Sequence, residues 1–260
     1  MTGQLQHVGT LMGNTVRELV RSKVLYNLVV FAVLFIASSM FVAQLTIGEW
    51  DRVILDMGLA AIHLSGVLIA ILIGVGLVAG EIERKTILPT LARPLSRGTF
   101  LFGRFVGLGL ILAANVLVMI GVLGVVLHLA GYGLPLVAVQ AAQLIFIELL
   151  VLAAAAIFFA TFTTPILASA FSLSLFLIGH LLSDLKAFGA RGSTSAVTRG
   201  LMNALYFVLP DLELLNVKSQ VTSGIALPPG SVMSASVYGL AYAAVLLLLG
   251  VIVFESRDLK

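Results

Sequence analysis

The chain has 260 residues, of which 60% are hydrophobic and only 10% are charged, and its mean hydropathy is +1.14. Because soluble domains carry charge on about a quarter of their residues, this composition excludes a soluble globular protein and indicates a polytopic membrane protein. The net charge of +3 comes from basic residues at the ends of apolar runs, a pattern typical of membrane topology and not of nucleic-acid binding. The absence of cysteine excludes disulfides, thiolate nucleophiles and cysteine-ligated metal sites.

Residues 1–24 precede the first apolar run and are predicted to form a cytoplasmic amphipathic helix. Apolar residues recur there at spacings of three and four, whereas Asn14, Arg17 and Arg21 occupy the opposite face. Such a helix would lie on the inner leaflet of the membrane. The alternative is an ordinary basic flank that orients the first span.

Six apolar runs follow, each close to the length that crosses a bilayer, and residues 25–260 are predicted to form one six-span membrane domain. An acidic loop, residues 48–56, would join the first two spans on the outer side. The predicted fold class is therefore all-α, with six transmembrane helices and both termini in the cytoplasm, where Lys and Arg are concentrated. The predicted spans cover residues 25–47, 57–80, 101–130, 136–161, 166–182 and 232–254.

The most charged stretch is the elbow, residues 81–100, which joins the second and third spans. Residues 80–107 hold five of the 15 Lys and Arg residues, so the elbow is predicted to lie in the cytoplasm. Pro89 and Pro94 interrupt helical structure there, and Ser96 is a suitable cap for the next helix. The elbow is thus predicted to be a short, stiff, charged projection, with a plain cytoplasmic loop as the alternative.

The outer connection, residues 183–231, joins the fifth and sixth spans. It contains two stretches that resemble short amphipathic helices, separated at Pro210, and a proline-rich loop that leads into the sixth span. Three roles are open for it: a lid, a platform for an extracytoplasmic partner, or an interfacial loop.

A charged residue inside a span is a candidate for function. Glu148 falls near the middle of the fourth span, where a charge costs roughly 2.5 to 3.5 kcal/mol to insert, so it must be protonated, paired or facing a cavity. Asn115, at a similar depth in the third span, is the nearest candidate partner. Two roles are open: a hydrogen bond between helices or across a dimer seam, and a translocation path that would include Glu148, Asn115 and His63.

Other polar residues are scattered through the outer halves of the spans and carry no recognisable chemistry. The four histidines lack the spacing of known zinc motifs, so no metal site is predicted. No phosphate-binding loop and no Ser-His-Asp or paired-carboxylate set is present, so no catalytic residue is predicted and the chain is not expected to be an enzyme. The scattered residues are Gln44, His63, His128, Gln140, Gln143 and His180.

Eight residues of the elbow and of the start of the third span form a motif, called the elbow motif below: Glu81, Thr86, Arg93, Pro94, Ser96, Arg97, Gly103 and Arg104. This motif resembles the signature between the second and third spans of the type-two ABC exporter permeases. Residues 209–218 and 254–259 also resemble the family, particularly its small bacterial branch with nitrous-oxide-reductase maturation and gliding-associated permeases. Ser256 stands where the family usually has Arg.

The resemblance implies the permease subunit of an ATP-driven ABC transporter in a bacterial inner membrane. It implies an elbow that acts as a coupling helix on a separate ABC ATPase subunit, which would bind the ATP and Mg²⁺, so no cofactor is expected in this chain. It also implies re-entrant helices in the outer connection and a second permease copy, as a homodimer or heterodimer. The residues predicted to couple the ATPase are Glu81, Glu83, Arg84, Thr86, Pro89, Arg93, Pro94 and Arg97.

Export or release of a substrate is the function that follows from this resemblance. One alternative is an ABC permease that transmits force to an extracytoplasmic partner protein without moving a bulky solute. A second alternative is an ion-coupled secondary transporter with Glu148 as the carrier. The lipid bilayer is a partner in every case, and nucleic acid in none.

Overall fold

The structure is a computed structural model that describes residues 2–46, 48–83, 97–189 and 208–256. Within these ranges all regular structure is helical, and none of them contains a strand. A π-helical segment, Ile69–Ile73, joins α3 to α4, and a 3-10 turn, Leu212–Leu215, precedes α8. The helices are α1 Thr2–Val20, α2 Lys23–Ala43, α3 Trp50–Leu68, α4 Gly74–Glu83, α5 Arg97–Leu129, α6 Leu136–Ala160, α7 Pro165–Gly189, α8 Lys218–Thr222 and α9 Ser231–Ser256.

Six of the described helical segments are long and apolar enough to cross a membrane. They confirm the predicted all-α polytopic membrane fold. A bilayer forces this outcome, because every backbone polar group inside it must be satisfied within the segment itself. The spans are Lys23–Ala43, Trp50–Gly80, Arg97–Leu129, Leu136–Ala160, Pro165–Leu182 and Ser231–Ser256.

The second span begins earlier than predicted. Residues 48–56 were expected to form an acidic loop, but α3 starts at Trp50 and Ile54 and Leu55 are already buried. Asp51 lies in the first helical turn, where a carboxylate favours the positive end of the helix dipole. The prediction was wrong because charges that stabilise a helix start also lower the local hydropathy.

The centre of the bundle is α6. Every residue from Ile147 to Ile157 is buried, as expected for a helix that is apolar on all sides. In the second and fourth spans, 78% of the 18-residue apolar stretch is buried inside the protein, whereas in the first span only 22% of it is buried. The α3 to α4 segment and α6 therefore form the interior, and α2 lies at the periphery.

The N-terminal segment forms the predicted helix, α1, and packs against the beginning of α5. Thr15 and Leu19 are buried in this contact. Arg104 Nη1 of α5 lies 2.8 Å from Glu18 Oε2 and donates to Thr15 Oγ1 at 3.1 Å. The helix is thus held by a charged hydrogen bond to the bundle, while its predicted place on the inner leaflet stays a prediction.

Gly107 permits the close approach of α5 to α1. A Cβ at this position would lie 2.7 Å from both Cβ and Cγ2 of Thr15, well inside van der Waals contact. Gly107→Ala is therefore expected to destabilise the protein by about 1–3 kcal/mol, as overpacking does, in excess of the gain in helix propensity. Unfolding in mixed detergent micelles measures this. Gly121→Ala in the same helix meets no neighbouring atom in the described residues and is expected not to destabilise; equal loss in both variants would contradict the packing.

The outer connection differs from the two amphipathic helices that were predicted. Residues 190–207, which include most of the first predicted helix, lie outside the described residues. The second is divided, because Asn216 adopts extended angles and its amide Nδ2 donates to Glu213 Oε2 at 3.1 Å. Leu212 and Leu215 are buried against the bundle. The helix of the fifth span, α7, also continues to Gly189, beyond the predicted end of that span at residue 182.

Candidate functional site

A polar cluster lies inside the bundle where four helices meet. It consists of His63 from α3, Glu148 from α6, His180 from α7 and Lys218, the first residue of α8. Buried ionisable groups in a membrane protein are rare and are usually functional. These four residues are called the polar cluster below.

Glu148 is the centre of the polar cluster. Its Oε1 lies 2.8 Å from His63 Nε2 and 3.5 Å from His180 Nε2. The side chain of Glu148 is 1% exposed, against 9% for His63 and 19% for His180. The His63 ring contacts Lys218 Nζ through its other nitrogen, Nδ1. One carboxylate therefore contacts two histidines, and one of these contacts a lysine.

The polar cluster lies deep in the bundle. Glu148 is twelve residues from either end of α6, which at 1.5 Å per residue places it about 18 Å from both ends. Lys218 belongs to the connection between the fifth and sixth spans, yet it reaches His63, which is bonded to Glu148. Part of the connection therefore packs close to the middle of the fourth span.

The charges of the polar cluster compensate one another. Burial lowers the pKa of the Lys218 ammonium, while the carboxylates of Glu148, Glu213 and Asp56 act in the opposite direction and only partly offset the burial. A buried carboxylate or ammonium alone is strongly unfavourable, whereas a paired one is tolerated. The two charges therefore depend on each other.

Aromatic contacts hold the two imidazole rings. The Phe176 ring centroid lies 4.7 Å from that of His180 and 5.5 Å from that of His63, and the two imidazoles are 5.6 Å apart. His180 Nδ1 lies 3.1 Å from the backbone carbonyl oxygen of Phe176, one helical turn earlier. The rings are thus packed and oriented, and are not free to rotate.

Of the predicted path residues, His63 and Glu148 are brought together but Asn115 is not. Asn115 is 5% exposed, and neither its Oδ1 nor its Nδ2 has a hydrogen-bond partner among the residues that the structure describes. Its predicted pairing with Glu148 is wrong, because equal depth in two spans does not define which faces of the helices meet. Participation of Glu148 and His63 in a path stays a prediction.

Sequence reasoning missed the roles of His180 and Lys218. His180 was noted only as one of several scattered polar residues, and Lys218 only as part of a connection. His63 is separated from Glu148 by 85 residues and from Lys218 by 155. No spacing motif spans such separations, so the only available signal was the cost of burying Glu148.

Among the predicted coupling residues, Arg97 is the one whose side chain is described. It opens α5, and its Nη1 donates to the backbone oxygens of Phe254 at 2.5 Å and Glu255 at 3.2 Å. Its guanidinium also lies 5.5 Å from the centroid of the Phe254 ring. A cation at the end of α9 satisfies carbonyls that have no helical partner. Arg97 therefore ties the start of the third span to the end of the sixth.

The other predicted coupling residues cannot be placed by their side chains. The backbone of Glu81 and Glu83 forms the last turn of α4, and their side chains are not among the described atoms. The remaining five lie outside the described residues, and their role stays a prediction. These five are Arg84, Thr86, Pro89, Arg93 and Pro94.

An open groove lies at the end of the bundle nearest the elbow. It has a volume of about 600 Å³ and runs between the α1 to α2 junction and the α3 to α4 segment. Apart from Glu18 and Ser22 its lining side chains are apolar. The lining residues are Glu18, Leu19, Ser22, Val24, Leu72, Ile73, Gly76 and Leu77.

Comparison with known proteins identifies the family. Residues 10–259 match the model of the family described as ABC-2 family transporter protein. No curated protein matches the chain. The match includes the elbow, the polar cluster and the six spans, and it agrees with the resemblance carried by the elbow motif. The chain therefore belongs to the ABC-2 transporter family and is a multi-pass transmembrane permease of that family.

Proposed function

We propose that this chain is the permease subunit of an ATP-driven transporter, which uses ATP hydrolysis in a separate ABC ATPase subunit to export or release a substrate. The observation that carries the proposal is the family match over residues 10–259, since membership of the ABC-2 family implies an ABC ATPase partner and a bilayer. ATP and Mg²⁺ would bind in that ATPase, and the permease itself would be non-catalytic. We also propose that the chain belongs to the small bacterial branch of these permeases and lies in a bacterial inner membrane.

The described contacts support a mechanical role for the elbow. The elbow leaves α4, which is joined to α3 by the π-helical segment, and enters α5 at Arg97. Arg97 binds the end of α9, and Arg104 binds α1. A displacement of the elbow would therefore be transmitted to the central spans, to α9 and to α1 together. π-helical segments occur often at functional sites, where a helix changes its path.

The proposed assembly contains two permease copies and two ATPase subunits. A second copy would complete a path that includes the open groove near the elbow. The connection that carries Lys218 would face the outside as a re-entrant cap. In the force-transmitting form of this function, the same connection would bind an extracytoplasmic partner protein.

One observation favours a second candidate function, an ion-coupled secondary transporter. The polar cluster combines a buried carboxylate, two histidines and a lysine, which are the groups that carry protons in membrane carriers. Under this function, flux would follow the proton gradient without nucleotide. The family match weighs against it, since it implies an ATPase partner.

Co-purification tests the proposed function. The permease is expressed together with an ABC ATPase subunit from the same source and is isolated through a tag on the permease. The expected result is a stable complex with two copies of each subunit, which hydrolyses ATP. Inactivating the phosphate-binding lysine of the ATPase should abolish hydrolysis without dissociating the complex. A permease that retains no ATPase, or one whose flux needs only a proton gradient, would refute the proposal.

A further inference from the structure

The Nε2 atom of His180 is buried beside the carboxylate of Glu148. His180 Nδ1 lies 3.1 Å from the carbonyl oxygen of Phe176, which can only accept, so Nδ1 carries hydrogen and donates it. In a neutral imidazole the other nitrogen, Nε2, then has a lone pair. This buried Nε2 has no hydrogen-bond partner among the described residues.

The atom that faces His180 Nε2 is also a hydrogen-bond acceptor. Glu148 Oε1 lies 3.5 Å away, and Glu148 is 1% exposed. Two acceptor atoms at this distance in a buried site repel, because apolar surroundings screen their partial charges poorly. A cation between or beside them would relieve this repulsion. A metal ion bound to both atoms is one such cation.

The spacing of the three ligand atoms fits a metal ion. One ligand atom from each of His63, Glu148 and His180 lies within 4.8 Å of the other two. Zinc bonds of about 2.0–2.1 Å in tetrahedral geometry separate neighbouring ligand atoms by about 3.3 Å. The observed separations from Glu148 Oε1, 2.8 Å to His63 and 3.5 Å to His180, lie on either side of that value.

The second nitrogen of His180 also fits the way proteins hold metal ligands. A ligating histidine almost always donates its other ring N–H to a nearby acceptor, which orients the ring. His180 donates to the Phe176 carbonyl, and His63 contacts Lys218 Nζ through Nδ1.

We propose that His63, Glu148 and His180 form a binding site for a divalent transition-metal ion of the zinc class, which joins α3, α6 and α7 next to α8. Imidazole nitrogens favour zinc, copper, nickel and cobalt over magnesium and calcium. Three protein ligands leave a fourth position for water or another ligand, as in open zinc sites. The inference goes beyond the proposed transport function and departs from the prediction, based on spacing along the chain, that the histidines form no metal site.

Metal binding to the purified permease tests the proposal. The full chain is prepared with a tag that contains no histidine, is stripped with EDTA and is titrated with Zn²⁺ by calorimetry and with Co²⁺ by visible absorption. The expected result is one tightly bound ion per chain, with the intense absorption bands of four-coordinate Co²⁺. Glu148→Gln and His180→Gln should each weaken binding by at least about 100-fold, since loss of a ligand costs more than the 10- to 100-fold of an outer partner.

His128→Gln is the matched control, because His128 is exposed in the last turn of α5 and lies outside the polar cluster. It should bind Zn²⁺ and Co²⁺ like the unchanged protein. Absence of binding, or equal binding by the His180→Gln variant, would overturn the proposal and leave a proton between His180 and Glu148. Loss of binding in His128→Gln would place the metal on the surface and also overturn it. If Glu148→Gln does not fold, His180→Gln decides, since His180 is the more exposed ligand.

This test is independent of the proposed transport function. The permease alone is titrated, without an ATPase subunit and without nucleotide. A failed co-purification would therefore leave the metal result unaffected, and a failed titration would leave the ABC proposal unaffected.

Discussion

Lys218→Met is expected to lower the free energy of unfolding by about 1–3 kcal/mol, the cost of leaving a buried hydrogen-bonding group, here His63 Nδ1, without its partner. Lys218 contacts His63 and interacts electrostatically with Glu148, which is 1% exposed. Without the lysine, the Glu148 carboxylate has lost a compensating cation. The loss is measured by SDS-induced unfolding in mixed micelles, with EDTA present so that the proposed metal plays no part.

A second substitution separates charge compensation from simple packing. In Lys218→Met with Glu148→Gln, both charges are gone, and the double variant should lose less stability than the sum of the losses in the two single variants, by about 0.5–3 kcal/mol, the size of coupling within one hydrogen-bond network. Lys23→Met removes an exposed lysine at the start of α2 and should change stability by less than about 0.5 kcal/mol. Simple additivity of the two cluster substitutions would show that Lys218 and Glu148 are not coupled.

Arg93→Glu is expected to reduce the amount of co-purified ATPase by at least about tenfold, since truncating one partner of a buried interfacial charge pair costs 2–5 kcal/mol. Arg93 belongs to the elbow motif but lies outside the described residues, so the prediction depends on the sequence and the family. Because the substitution is in the elbow and not in a span, the permease should still insert in the membrane. Quantitative blotting of both subunits measures the effect.

Coupling is measured on the complex that still co-purifies, and the lack of cysteine in the chain allows site-specific labelling. A single cysteine is introduced at Leu214, a residue of the connection that is 52% exposed. Trapping the ATPase with ATP and vanadate should change its labelling rate, and Arg93→Glu should abolish that change. Arg52→Glu, a charge reversal at the exposed start of α3, is the control and should retain it. Labelling of a cysteine at residue 93 from the outside of the cell would contradict the predicted topology and the coupling role together.

The helix boundaries show how accurately hydropathy alone predicts where the spans begin and end. The third and fourth spans were predicted at residues 101–130 and 136–161, and the helices are Arg97–Leu129 and Leu136–Ala160. The start of the second span was misplaced by seven residues, at Trp50 instead of residue 57. Charged residues in the first turns of a helix lie in water beyond the bilayer core, so a hydropathy criterion excludes them although the helix includes them.

By itself, the sequence determined that this is a six-span helical membrane protein with a charged elbow of the ABC permease type. Both results depend on local information: apolar runs of spanning length must form helices in lipid, and the elbow motif is contiguous. Only the tertiary structure decided which polar residues meet. Asn115 and Glu148 were predicted at similar depths yet do not pair, whereas Glu148 contacts His63 and His180, and His63 contacts Lys218. Depth along a span can be read from residue number, but the face that each helix turns toward its neighbours is set by packing of the whole bundle.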